Sequence, residues 1–143
     1  MSNPERFSIE PSASNHFAWS NTRLALERTF MAWLRTAVSL ISFGFTIVQF
    51  FQRLPQMQGD AAVKPLNPDA PRILGLALIG AGVIALAISS WQYRQGVKYL
   101  WRPQFSAIAG IDEKPHGTPV LFVAGVVLLI GLFAFLSVFV RLA

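Results

Sequence analysis

The chain has 143 residues and a formal net charge of +5, room for one compact unit and too little for two ordinary domains. Hydrophobic residues make up 53 % and charged residues 13 %, and the mean hydropathy is +0.47. A water-soluble fold this small leaves too much surface exposed to hide so much apolar area, which argues against a cytosolic enzyme domain. The absence of cysteine excludes disulfides, thiolate metal sites and cysteine nucleophiles.

Residues 1–20 are polar and read as a cytoplasmic arm. They lack an apolar core followed by a small-residue cleavage site, so they are not a signal peptide. A single transmembrane domain then fills residues 21–143. Ser20 or Asn21 is the expected cap of its first helix, which crosses the bilayer over about residues 30–52. Its lead-in is basic and amphipathic. Counting in alternating steps of four and three from Arg28 puts Ala32, Arg35, Ser39, Ser42, Thr46 and Gln49 on one stripe. Such a stripe should face protein or water, because lipid cannot satisfy it, and it is expected to be an interior face.

Two readings of the arginines compete. Arg28 and Arg35 can snorkel to lipid phosphates and fix the depth of the helix. Alternatively they converge in a bundle or oligomer and form an entrance that attracts anions. Glu27, beside Arg28 and four residues from Arg23, is the only acid nearby and the expected charge partner for an arginine.

The run Leu26-Glu27-Arg28-Thr29-Phe30-Met31-Ala32-Trp33-Leu34-Arg35-Thr36, followed by Gly44-Phe45, resembles the signature of the YidH-like small inner-membrane proteins. Trp91-x-Tyr93-Arg94 is a weaker match. That family is a domain of unknown function with three spans. It is similar to the membrane part of the vacuolar transporter chaperone complex, which makes and translocates polyphosphate in lower eukaryotes. The resemblance implies a basic conduit for a polyanion, with Arg28 and Arg35 carrying the role and Glu27 orienting them. This chain lacks that complex's polymerase and phosphate-sensing domains.

Residues 52–72 contain Pro55, Pro65, Pro68, Pro71 and Gly59 and are expected to form an extended loop. The second span covers about residues 73–93. On it Ala77, Ala81, Ala85 and Ser89 repeat at spacing four, a pattern that lets helices approach closely within the bundle or at a subunit interface. Gly80-Ala81-Gly82 matches a dinucleotide fingerprint in letters only, since no strand precedes it and no acid stands at the required distance. Trp91, Tyr93, Tyr99 and Trp101, with Arg94, Lys98 and Arg102, suit an interfacial helix. The third span, about residues 120–140, reads as lipid-facing scaffold.

The fold class is therefore all-α, an integral membrane protein with three transmembrane helices. The N-terminal side (Arg6, Arg23, Arg28 and Arg35) and the loop between the second and third spans (Arg94, Lys98, Arg102 and Lys114) hold eight lysines and arginines, against four on the other face (Arg53, Lys64, Arg72 and Arg141). This predicts the N-terminus in the cytoplasm, the C-terminus outside, and a bacterial inner membrane as the location. His16, His116 and Asp112-Glu113 make no ligand set, no serine sits in a nucleophile setting, and no acid lies inside a span. Neither an enzyme, nor a cofactor, nor a metal, nor nucleic-acid binding is expected. The expected partners are the lipid bilayer, further copies of the chain or another membrane protein, and an anion as ligand. Two functions remain: an oligomeric membrane component with a basic cytoplasmic entrance, or a structural adaptor packed on another membrane protein.

Overall fold

A computed structural model describes residues 11–58, 69–111 and 119–140. Four helices follow in chain order: α1 Ala13–Gln58, α2 Ala70–Leu100, α3 Pro103–Ala109 and α4 Pro119–Val140. There is no strand among the described residues. Helices α1, α2 and α4 are each long and apolar enough to cross a membrane, and the protein is a multi-pass membrane protein. Pro65, Pro68, Gly59, Asp112, Glu113 and His116 lie outside the described residues.

A heptad-like row builds the core. Phe30, Leu34, Ala37, Ile41, Gly44 and Val48 are the buried face of α1. They meet Gly75, Ile79, Gly82, Leu86 and Tyr93 of α2. Helix α2 runs antiparallel to α1, and α4 returns parallel to α1 with Ala124, Gly131, Ala134 and Val138 inward. Its large side chains do face outward: Phe122, Phe133, Leu129 and Val140 are all exposed. At 22 residues α4 is about 33 Å long, a close match to the apolar thickness of a bilayer.

Glycine sets the α1–α2 crossing. A Cβ on Gly44 would stand 2.6 Å from the Gly75 carbonyl oxygen, and one on Gly75 would stand 2.7 Å from that of Gly44. The two backbones touch there. Gly82 repeats the device one level lower, where a Cβ would lie 2.9 Å from the Ala37 carbonyl oxygen. The fingerprint-like glycines therefore belong to a helix interior and to its packing.

Both long helices overrun their predicted limits. Helix α1 begins at Ala13, with the Ser12 hydroxyl accepting from the Asn15 N–H at 3.2 Å. Ser20 and Asn21 are therefore not caps but lie well inside the helix. The reason is tertiary: Trp19 is buried, its indole N–H donates to the Leu100 carbonyl at 3.1 Å, and it packs edge-on against Trp101 at 5.2 Å. His16 Nδ1 lies 2.9 Å from the Ala109 carbonyl, tying α3 to the same end. At the other end the backbone stays helical through Pro55 to Gln58, so part of the expected first loop is helix. Likewise α2 continues to Leu100, with Tyr93 and Tyr99 inside it and Trp101 at its C-terminal cap. Gly110, at φ +64°, closes α3 in the left-handed region.

Trp19→Phe keeps the ring and removes the indole donor. We expect a local loss of about 1–3 kcal/mol. Hydrogen exchange should accelerate at α3 and the last turn of α2 and stay unchanged in the spans. Equal acceleration everywhere would show that this end is not a separable unit.

Candidate functional site

The outward face of α1 carries a continuous polar stripe. Arg28, Ala32, Arg35, Ser39, Ser42 and Thr46 are exposed and Gln49 is half-buried. The expectation of an interior face is thus corrected for the single chain. The stripe points away from α2, because the heptad row on the opposite side of α1 has taken the bundle contact. Thr46 satisfies itself by donating to the Ser42 carbonyl at 2.8 Å. Among the described residues the side chains of Ser39, Ser42 and Gln49 make no hydrogen bond.

Depth follows from the packing. Gly131 of α4 sits beside Ile41 and Val83. Twelve residues back along each helix, Pro119 is therefore level with Thr29, so Arg28 stands level with the start of α4. Arg35 lies about 10 Å beyond Arg28 along α1 by helix rise. The stripe runs from Arg28 to Gln49 along α1.

Arg28 and Arg35 share a depression of about 390 Å³ with Leu24, Glu27, Met31 and Ala32. Glu27 is turned elsewhere. Its Oε1 is 3.6 Å from Arg23 Nε and accepts from the Tyr93 hydroxyl at 3.4 Å. Tyr93 in turn stacks on Phe30 at 4.8 Å, in the core. The one acid of the segment thus neutralises Arg23, and no carboxylate among the described residues pairs with Arg28 or Arg35. Arg28 and Arg35 are thus two exposed guanidinium groups without a carboxylate partner among the described residues.

The row on α2 divides. Ala77 and Ala81 are exposed, Ala85 is half-buried, and Ser89 alone is buried, its hydroxyl donating to the Leu86 carbonyl at 3.1 Å. Within the bundle, α2 packs through Gly75, Ile79, Gly82 and Leu86 instead. Sequence reasoning missed Ser137, which lines a groove with Ser42 and Gln49 between α1 and α4. It is the one polar residue of α4, and that was the signal available. It also missed Trp19, which continues the core row of α1 outward.

The family model described as Domain of unknown function (DUF202) matches residues 21–99, more than half of the chain. The chain belongs to this YidH-like family. No curated protein and no solved structure matches it. The matched family domain contains the whole outward stripe, the Arg23–Glu27–Tyr93 cluster and the Gly44–Gly75 crossing. Helices α3 and α4 fall outside it.

Proposed function

We propose that this protein is a non-enzymatic component of a bacterial inner membrane that self-associates, with its N-terminus in the cytoplasm and its C-terminus outside. Copies gather with the α1 stripe toward a shared axis, and Arg28 and Arg35 form a basic cytoplasmic entrance for anions. One observation carries this reading. A polar stripe with two arginines lacking a carboxylate partner lies on the outer face of a spanning helix, where lipid chains offer it nothing. The resemblance to the polyphosphate-translocating complex makes a polyphosphate the anion to try first. The pairing of Glu27 with Arg23 supports the same view, since it leaves the other two charges free to act.

The test is anion flux into proteoliposomes. Arg28→Ala combined with Arg35→Ala should lower flux at least about tenfold, because local charge sets how many anions reach an entrance. Flux that is absent, or unchanged by the double substitution, would sink the proposal.

The same outward stripe supports a second reading. It would fit equally an adaptor whose Ser39, Ser42, Thr46 and Gln49 pack on a different membrane protein.

A further inference from the structure

The last third of α2 carries a second basic surface. Counting along the helix from Ile84 in alternating steps of four and three gives Ile88, Trp91, Gln95, Lys98 and Arg102, with Arg94 beside them. All of these are exposed. By helical phase they lie opposite Gly75, Gly82, Leu86 and Tyr93, the buried side of α2. One outward face therefore changes from large apolar residues to cations as it runs toward Leu100. The change falls at a definite height. Tyr93 stacks on Phe30 at 4.8 Å, and Thr29 is level with Pro119, so Arg94 stands level with the start of α4. Helix rise carries Lys98 about 6 Å further. Arg102 follows the last turn, and its guanidinium lies over the Tyr99 ring, 5.1 Å from the centre. Residues 70–111 contain no Asp or Glu. No carboxylate among the described residues pairs with Arg94, Lys98 or Arg102.

We propose that this surface binds the headgroups of anionic phospholipids. A spanning helix of the length of α4 brings its ends to the edges of the apolar layer, and the headgroup zone adds about 5–7 Å on each side. Arg94 and Lys98 then lie in that zone, on the same face as Ile84 and Ile88, which meet acyl chains. Trp91 stands between the two sets, where an amphipathic ring is favoured. Lipid covers the apolar half of the face, so the nearest partner for the cations above it is the phosphate of the same lipid. A headgroup with net negative charge suits them better than a zwitterionic one, whose own ammonium competes for the phosphate. An acidic protein would have to reach the same cations through the headgroup layer, which makes lipid the better fit. The face points away from α1, so this inference does not rest on self-association.

The test titrates the full-length protein with dioleoylphosphatidylglycerol and with dioleoylphosphatidylcholine, counting bound lipids by native mass spectrometry. The unaltered protein should favour the anionic lipid by about tenfold or more, and the preference should shrink as salt rises. Each basic residue near an anionic surface contributes about fivefold. Arg94→Gln with Lys98→Gln and Arg102→Gln should therefore remove most of the preference, whereas Arg28→Gln with Arg35→Gln should leave it largely in place. The helical melting curve of the triple variant should not move, because all three side chains are exposed. If that variant melts early, Lys98→Glu alone decides the matter, with an expected loss of about fivefold or more. Equal binding of the two lipids by the unaltered protein would overturn the proposal. So would a preference that survives both the triple substitution and Lys98→Glu. A preference lost only with Arg28 and Arg35 would place the headgroups on α1 and overturn it too. An acidic protein that co-purifies with the unaltered chain but not with the triple variant, with no lipid preference in either, would replace lipid as the partner.

Discussion

Gly44→Leu should be the most damaging single substitution in the protein. A Cβ at Gly44 already falls 2.6 Å from the Gly75 carbonyl oxygen, 2.9 Å from Ile79 Cγ1 and 3.0 Å from the Ile79 backbone nitrogen. Two of those three atoms are backbone, so no rotamer change relieves the clash and the helices must separate. The penalty should reach about 3 kcal/mol, the upper end for overpacking a tight interior. In detergent that corresponds to a melting temperature lower by roughly 10 °C. Gly125→Leu is the internal control: Gly125 is exposed and a Cβ there meets nothing within 4 Å. Its melting temperature should not move. If the two variants melted alike, Gly44 would not be a backbone contact and the crossing described here would be wrong.

Replacing Ser42, Thr46 and Gln49 together by leucine should turn the assembled protein into monomers without unfolding it. None of the three belongs to the core row of α1, so the bundle keeps its own contacts. Polar contacts between spanning helices contribute about 0.6 kcal/mol each on average, with larger values for well-placed amides. Loss of three should weaken association by about tenfold or more. The readout is the mass distribution in a lipid-like detergent beside the helical melting curve. Monomers with an unchanged melt fit self-association, whereas retained self-assembly with a lost co-purifying membrane protein fits the adaptor. Retained assembly with nothing lost would show that the stripe faces lipid.

Much of this arrangement was legible in the chain, and the rest failed for definable reasons. Hydropathy locates spans because an apolar layer punishes every charge, so α1, α2 and α4 could be placed from composition. Helix ends were not readable in the same way. Ser20 and Asn21 look like caps, yet the contacts of Trp19 with Leu100 and Trp101 keep α1 helical from Ala13. Those contacts join residues far apart in sequence, which local propensity does not register. The polar stripe of α1 was found by its spacing, but spacing gives a face and not the side on which a neighbour stands. The heptad row from Phe30 to Val48 competes for the same helix and wins the bundle contact, leaving the stripe outside. On α2 the alanine row was conspicuous, but Gly75 and Gly82 allow closer approach than alanine and so face α1. The arginine pair was legible as chemistry. That Glu27 turns to Arg23 and Tyr93 rather than to Arg28 depends on where α2 stands.

In the proposed assembly the outward stripe of α1 is covered by further copies of the same chain. Native mass spectrometry of the protein, extracted gently from its own membrane, tests this most directly. The account predicts a closed homo-oligomer of one size. A monomer, or a one-to-one complex with a different membrane protein, would contradict it.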